Sequence, residues 1–343
     1  MAVLDHDPAL QEKAKQKQEQ VQHMIRSVER ACEQNLDEDR QWLLQVIQPS
    51  NPCFATLVRL ICEPKYKGCL ALRACCLRAV QMLLRIARTM FEDSDPNLGW
   101  KTFVELAGKS QAEQALPELR LLAKQQADPV IASNAITVLA ELGPFALHPE
   151  LVPQILELFE AASDRASDLS EVALRVHAWG GECRKQLCSG IVTGNHTGGR
   201  HLVEVLLQML NRCDEKRQQR AAKVLTGCFS MAEAKEWMYT NDSRLLVEVL
   251  LREIPGKVED PKTFRCFSSC IKALLLCSHA ARQHRRDELW QVLEDLRQDD
   301  QLELSVRQDC VEVLEVMSYA ERAAHAMFFW LGPECKEFPA QVA

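Results

Sequence analysis

The chain has 343 residues, 47% of them hydrophobic but only 6% aromatic, with 13 Gly and 14 Pro; a large aliphatic core built from helices fits this better than a strand-and-turn fold. The net charge of -7 is of mixed sign without a long run of either, which gives no electrostatic support to a nucleic-acid role. The 15 cysteines are odd in number, contain no C-x-x-C, and often sit in apolar helical runs, as at Cys75, Cys228, Cys270 and Cys277; they read as buried free thiols in a reducing compartment, not as disulfides or a zinc site.

From the N-terminus, MAVLDHDPALQEKAKQKQEQ is too polar for a signal peptide and too acidic for a transit peptide. No apolar segment approaches about 18 residues without charges, so no membrane span is expected and a cytoplasmic location follows. Residues 9–34 are rich in Gln, Glu and Lys with sparse apolar positions at Val21, Met24, Ile25 and Val28, the pattern of a solvent-facing helix packed along one thin stripe. A helix over 67–91 follows. Asn51-Pro52, Asp95-Pro96-Asn97, Asp128-Pro129, Gly143-Pro144, His148-Pro149 and Asp260-Pro261 punctuate the chain.

The clearest unit spans 115–160. Leu116, Leu119 and Leu122 fit one helix; Val130, Ile131, Ala135, Val138, Leu139 and Leu142 fit a second, with Asp128 as cap and Pro129 at its first position; Leu151, Ile155, Leu158 and Phe159 fit a third. This is the pattern of a HEAT or armadillo unit, with Ala132 and Ala135 admitting a close neighbour. Further helices are expected at 200–211, 214–229, 242–254, 262–277, 284–297 and 303–319. The period is loose, and the units do not align residue for residue. The expected fold is all-α, an armadillo/HEAT-like α-solenoid, because a helix pair cannot bury both its faces alone. The expected organisation is a charged N-terminal helix over 1–36, one helical repeat domain over 37–331 and a tail over 332–343. The alternative, two helical bundles, places the break within 189–201.

Catalytic motifs are weak. The glycines of Gly194-Asn195-His196-Thr197-Gly198-Gly199-Arg200-His201 have phosphate-loop spacing, but Arg200 replaces the lysine, His201 replaces the Ser/Thr, and no convincing strand precedes them. An interhelical loop is the better reading, with a nucleotide-binding enzyme using 190–201 a remote alternative. The pairs His196/His201 and His279/His284 are five apart and do not share a helix face, so no metal site is expected. Neither an enzyme nor a cofactor is expected. The cluster Arg282, His284, Arg285 and Arg286 opens a helix, as a solvated face or as a rim for an acidic partner. An extended helical surface without chemistry is suited to binding proteins.

Residues 199–254 carry an ordered set: Leu210-Asn211-Arg212-Cys213-Asp214, a helix ending near Phe229, Tyr239-Thr240-Asn241-Asp242, and an aliphatic helix closed by Leu251-Arg252-Glu253-Ile254. In this order and spacing they resemble the leucine-rich domain of the WISH/DIP/SPIN family. A weaker echo lies in HRRDELWQVLEDL, 284–296. Met238 departs from the family, which usually has an aromatic there, as does 264–277, which lacks a Tyr-Leu-Arg pattern; no SH3 module or proline-rich linker is present.

The resemblance implies an armadillo-like protein of the actin cytoskeleton that binds and activates the actin-related protein 2/3 complex without a preformed filament, seeding linear filaments. Nucleotide is then held by the complex and by actin. The terminal FFWLGPECKEFPAQVA has a Trp but no acidic run, so no motif that delivers actin monomers is expected. Asn211, Arg212, Tyr239, Thr240, Asn241, Asp242, Arg252, Arg285 and Arg286 are the candidate motif and partner-binding residues. The competing reading is a generic armadillo/HEAT scaffold, a chaperone cofactor or adaptor. Locally, Thr240, Asn241 and Asp242 offer N-cap oxygens to a helix from Ser243 to Ile254, with Leu245, Leu246, Val249 and Leu250 as its core stripe.

Overall fold

A computed structural model describes residues 7–34, 37–91, 98–125, 127–193 and 197–331. Asp95-Pro96-Asn97, Gly194-Asn195-His196 and the tail 332–343 lie outside the described residues. Among those described the fold is all-α, a helical repeat without strands, and no helix is long and apolar enough to cross a membrane. The chain divides into two compact units whose seam falls between residues 190 and 203, the segment to which the two-bundle alternative pointed.

The first unit holds α1 (Pro8–Gln34), α2 (Asp37–Val46), α3 (Pro52–Cys62), α4 (Leu70–Phe91), α5 (Leu98–Ala107), α6 (Lys109–Ala123), α7 (Pro129–Leu142), α8 (Val152–Ala161), α9 (Ala166–Trp179) and most of α10 (Gly181–Thr193). The thin stripe of α1 is buried at Ala14, Val21, Ile25, Val28 and Ala31, and the helix packs on α4. Its polar edge reaches the same neighbour, Arg78 donating to Glu29 at 3.0 Å. Asp128 caps α7 as expected, accepting from the Ile131 amide at 3.1 Å with Pro129 at the first position. Asn51 does the same for α3 through the Cys53 amide at 2.9 Å.

Helix α7 is buried from Ile131 to Leu142, so its neighbours enclose it, and burial of each large aliphatic side chain contributes about 1.5–3 kcal/mol. Enclosure also buries Glu141, whose side chain is 1% exposed and lies between Arg85 on α4 at 2.8 Å and Arg175 on α9 at 2.6 Å. A charge held there depends on both guanidinium groups, since desolvation without a partner is costly. Asp168 on α9 extends the network to Arg85 at 3.1 Å and Arg165 at 3.3 Å. The bonds Asn134 to Ala74 and Arg85 to Glu141 advance along α4 and α7 in the same direction. The two helices therefore run parallel, as equivalent helices of successive repeats do.

The glycine-rich segment is helical, not a loop, from Thr197 onward. Another helix, α10, precedes it where a phosphate loop needs a strand. A Cβ at Gly198 would stand 1.7 Å from the Leu156 carbonyl oxygen and 3.3 Å from the Phe159 Cβ. That glycine serves helix-on-helix contact with α8.

The second unit holds most of α11 (Thr197–Arg212), then α12 (Glu215–Phe229), α13 (Thr240–Glu253), α14 (Pro261–Cys277), α15 (His279–Gln283), α16 (Arg286–Gln298) and α17 (Leu304–Leu331). Asp214 and Asp260 cap α12 and α14 through the amides of Arg217 and Lys262. Helices α12, α14 and α17 pack in sequence. Gln219 of α12 donates to the Thr263 hydroxyl of α14, 44 residues on, and Arg265 of α14 reaches Asp309 of α17, again 44 residues on. The repeat that sequence comparison leaves loose therefore has a register in space, within the 40–47 residues common for HEAT and armadillo units.

Candidate partner-binding surface

Apolar spacing sets which faces of α11 and α13 are free. Leu202, Leu206, Met209 and Leu210 bury one side of α11, leaving Asn211 and Arg212 exposed at its C-terminal end. Leu246, Val247, Val249, Leu250 and Leu251 bury α13, leaving Arg252 exposed in its last turn, where a cation suits the helix dipole. The two ends meet. Arg252 Nη2 donates to Asn211 Oδ1 at 2.7 Å, and its Nε and Nη2 hold Glu253 Oε1 at 3.0 and 2.8 Å.

Thr240, Asn241 and Asp242 do not act as caps. Helix α13 starts at Thr240, so the triplet forms its first turn, and the N-cap is Tyr239, which makes no side-chain cap bond. The Tyr239 carbonyl instead accepts from the Ser243 amide at 2.9 Å. The buried arc of α13 is centred on Ser243, Leu246, Val247 and Leu250, and Leu245 lies at its edge, 46% exposed instead of joining the core. Thr240 and Asn241 face solvent and Asp242 is half-buried; an acid in the first turn favours the helix through its dipole.

The segment before the triplet is tied to α14 and α15. Glu236 adopts a left-handed φ of 56°, a conformation that side chains other than glycine rarely take. There its amide donates to the Cys277 carbonyl at 3.1 Å, and its Oε1 accepts from the His279 amide at 2.7 Å. Cys277 Sγ donates to the Phe229 carbonyl at 2.9 Å, and burial, then the Glu236 charge, pushes its thiol pKa up. Trp237 packs on Phe229 with ring centroids 6.0 Å apart. Met238 is buried, while Tyr239 is 55% exposed. The loop thus holds an aromatic ring at the surface on fixed backbone.

Arg285 and Arg286 lie at the start of α16. Arg285 is the N-cap in left-handed conformation, φ 49°, and pairs with Glu288 at 2.8 Å. Arg282 belongs to α15 and closes the end of α14, donating to the Leu275 carbonyl at 2.9 Å. His284 bonds Glu248 of α13 at 2.9 Å.

The candidates therefore separate into groups. Asn211 and Arg252 are joined; Tyr239 to Asp242 occupy the opposite end of α13, roughly 20 Å away at 1.5 Å per residue; Arg285 and Arg286 form a third group at α16. Reading by motif missed the exposed row Lys216, Arg220 and Lys223 on α12. Its signal was present in EKRQQRAAK, where three cations recur at i, i+4 and i+7 opposite Ala221, Ala222 and Leu225.

Among the described residues no group of three or more His, Cys, Asp or Glu side chains could hold a metal ion. A family model, the SPIN90/Ldb17 leucine-rich domain, matches residues 176–289, about a third of the chain, from within α9 to the start of α16. No curated protein matches the chain. The segment similar to this domain contains every candidate residue named above, and it supports a relation to the SPIN90 group and a role connected with actin regulation.

Proposed function

We propose that the chain is a protein-binding activator of the actin-related protein 2/3 complex, acting in the cytoplasm on the actin cytoskeleton, without a preformed filament and without catalytic chemistry of its own. The observation that carries this reading is the match of residues 176–289 to the SPIN90/Ldb17 leucine-rich domain. The helical repeat supports it, since such stacks present extended surfaces suited to protein partners. So does the composition of the exposed candidates, where Tyr239, Arg252 and Arg285 belong to residue types enriched at the energetic centres of interfaces.

The proposed mechanism is selection of a state. The chain binds the active arrangement of the complex more tightly than the inactive one, and only that difference shifts the population. Moving a 1:99 equilibrium to 99:1 takes about 5.5 kcal/mol of differential affinity. Such a difference is within reach of a few well-packed aromatic and arginine anchors. In this scheme Tyr239 and the first turn of α13 form one contact, Arg252 with Asn211 and Arg212 a second, and Arg285 with Arg286 a third. Nucleotide stays with the complex and with actin.

Bulk assembly of pyrene-labelled actin with purified complex tests the proposal. Added chain should shorten the lag in the absence of filament seeds. No acceleration over the complex alone, or acceleration only once filaments are supplied, contradicts it. Recovery from cytosol of a different partner, without the complex, would favour a generic scaffold.

A further inference from the structure

The first unit carries a chain of aromatic rings that begins in the core and ends in water. Phe54 on α3 and Phe103 on α5 are fully buried and meet edge to face, their ring centroids 5.6 Å apart. Phe103 stacks on half-buried Trp100 at 5.9 Å, and Trp100 meets Phe145 at 5.6 Å. Phe145 itself is 57% exposed. Gly99 permits the last step, since a Cβ there would stand 1.8 Å from the Glu141 carbonyl oxygen; without one, the start of α5 closes on the end of α7. The exposed ring is also held still. Gly143 turns the chain after α7 with φ 110°, and Ala146 and Leu147, fully buried, anchor the turn. Arg120 of α6 donates to the carbonyls of Phe145 at 2.8 Å and Ala146 at 3.0 Å, and its guanidinium is 5.9 Å from the centre of the Phe145 ring.

Single exposed apolar residues are ordinary, but a ring braced by a second ring and by a doubly bonded arginine has little freedom left to lose when a partner covers it. Beside Arg120, Pro117 and Leu121 stand one turn apart on the exposed side of α6. The charge at this corner has a sign. Arg120 spends its donors on neutral carbonyls and forms no ion pair among the described residues. Its neighbours Lys124 and Glu150 face each other at 3.8 Å, which leaves Arg120 as the uncompensated charge beside the ring. We propose that this corner is a second protein-docking site, taking a short partner segment that sets an apolar side chain on Phe145 and Trp100 and an adjoining carboxylate on Arg120. Aromatic rings with an arginine are the residue types of interface centres, and the charge selects the acid. A polyanion is the poorer occupant, because Glu150, 70% exposed, and exposed Glu113 of α6 border the same surface. The corner lies outside residues 176–289, so the inference is independent of the actin reading.

Peptide phage display on the full chain tests it, with selection on the parent and counter-selection on Phe145→Ala, each variant first required to melt as the parent does. Enriched peptides are then synthesised in acidic form and with each Asp or Glu changed to its amide, and their affinities are measured by fluorescence anisotropy. The proposal expects peptides that pair an apolar residue with a neighbouring acid and that bind Phe145→Ala about tenfold or more weakly. It also expects the amide forms to lose affinity for the parent but not for Arg120→Gln, which keeps a donor and drops the charge. Failure to enrich any peptide that tells the parent from Phe145→Ala overturns it, as does equal binding of acidic and amide forms by the parent. Dimerisation of the parent that Phe145→Ala abolishes overturns it in favour of a second copy. Capture of RNA or phosphatidylserine vesicles by the parent and not by Phe145→Ala overturns it in favour of a polyanion. If Phe145→Ala melts early, selection runs on the parent alone and a photoreactive phenylalanine replaces Phe145: crosslinking of the peptides there is expected, and crosslinking only elsewhere overturns the proposal.

Discussion

Arg252 reaches across from the end of α13 to the end of α11 and donates to Asn211 at 2.7 Å, joining residues 41 positions apart. The same guanidinium is held by Glu253 at 2.8 Å, so its orientation is fixed from two sides although its side chain is 56% exposed. Exposed polar pairs contribute little to folding, about 0.2–1 kcal/mol. A double-mutant cycle over Asn211→Ala and Arg252→Ala should return a coupling within that range by urea unfolding. Loss of complex binding well beyond it, in variants that stay folded, would give the clasp a contact role.

Gly198 is required by packing. Its missing Cβ leaves room for the Leu156 carbonyl, which would otherwise lie at 1.7 Å, against backbone that cannot rotate away. Gly198→Ala should destabilise the chain by about 1–3 kcal/mol or more. Gly256, where an added Cβ meets nothing within 4 Å, is the control, and Gly256→Ala should be neutral or stabilising by about 0.4–1 kcal/mol. Equal melting temperatures for the two variants would refute the packing argument.

Glu141 offers a second test of the first unit. Its carboxylate is buried between Arg85 and Arg175; breaking a fully buried ion pair costs about 3–5 kcal/mol, but Arg85 keeps Asp168 at 3.1 Å and both arginines reach solvent, so a cost of about 1–3 kcal/mol is expected. Glu141→Ala should lower stability by that order in denaturant titrations. A change under about 1 kcal/mol would mean that solvent reaches the network.

The buried thiols predict a pH dependence. Burial first, together with neighbouring charge or sulfur, pushes Cys76, Cys270 and Cys310 from 9.0 up to about 12. Their folded pKa values exceed the unfolded ones, so the unfolded chain releases protons first as pH rises. Their contribution is fully present below pH 9.0 and is lost progressively as pH climbs toward about 12. Thermal melts should fall across that window, and less steeply for Cys270→Ala than for the parent. A flat profile would contradict the burial of these groups.

The helices were legible in the sequence because apolar spacing and Asp-Pro or Asn-Pro punctuation act locally; Asp128 caps where the sequence places a cap, and Asn51 and Asp260, read there as punctuation, cap as well. The repeat register was not legible, because it resides in bonds such as Gln219 to Thr263 and Arg265 to Asp309, between side chains 44 residues apart. The start of α13 was misplaced for a physical reason. Thr, Asn and Asp are good caps by type, but Glu236 pins the preceding loop to α14 and α15 and the helix begins at Thr240. Gly198 likewise answers to a carbonyl on α8, which no local pattern announces.

That correction sharpens what the triplet can mean. Asn241 and Asp242 make no cap bond, so Asn241→Ala, Asp242→Ala should cost only the dipole interaction of one acid, about 0.3–1 kcal/mol. The double variant should fold and melt within a few degrees of the parent. If it then fails to accelerate filament assembly, the triplet touches the partner. Full activity would leave it a mark of family resemblance alone.

The central claim is that this chain turns on the actin-related protein 2/3 complex without a mother filament. Single-filament fluorescence microscopy of actin monomers with purified complex, with and without the chain, tests it most directly. The account predicts new filaments that appear alone and unbranched, at a rate rising with chain concentration and lost when the complex is omitted. New filaments arising only as branches on existing ones, or no increase at any concentration, would contradict it.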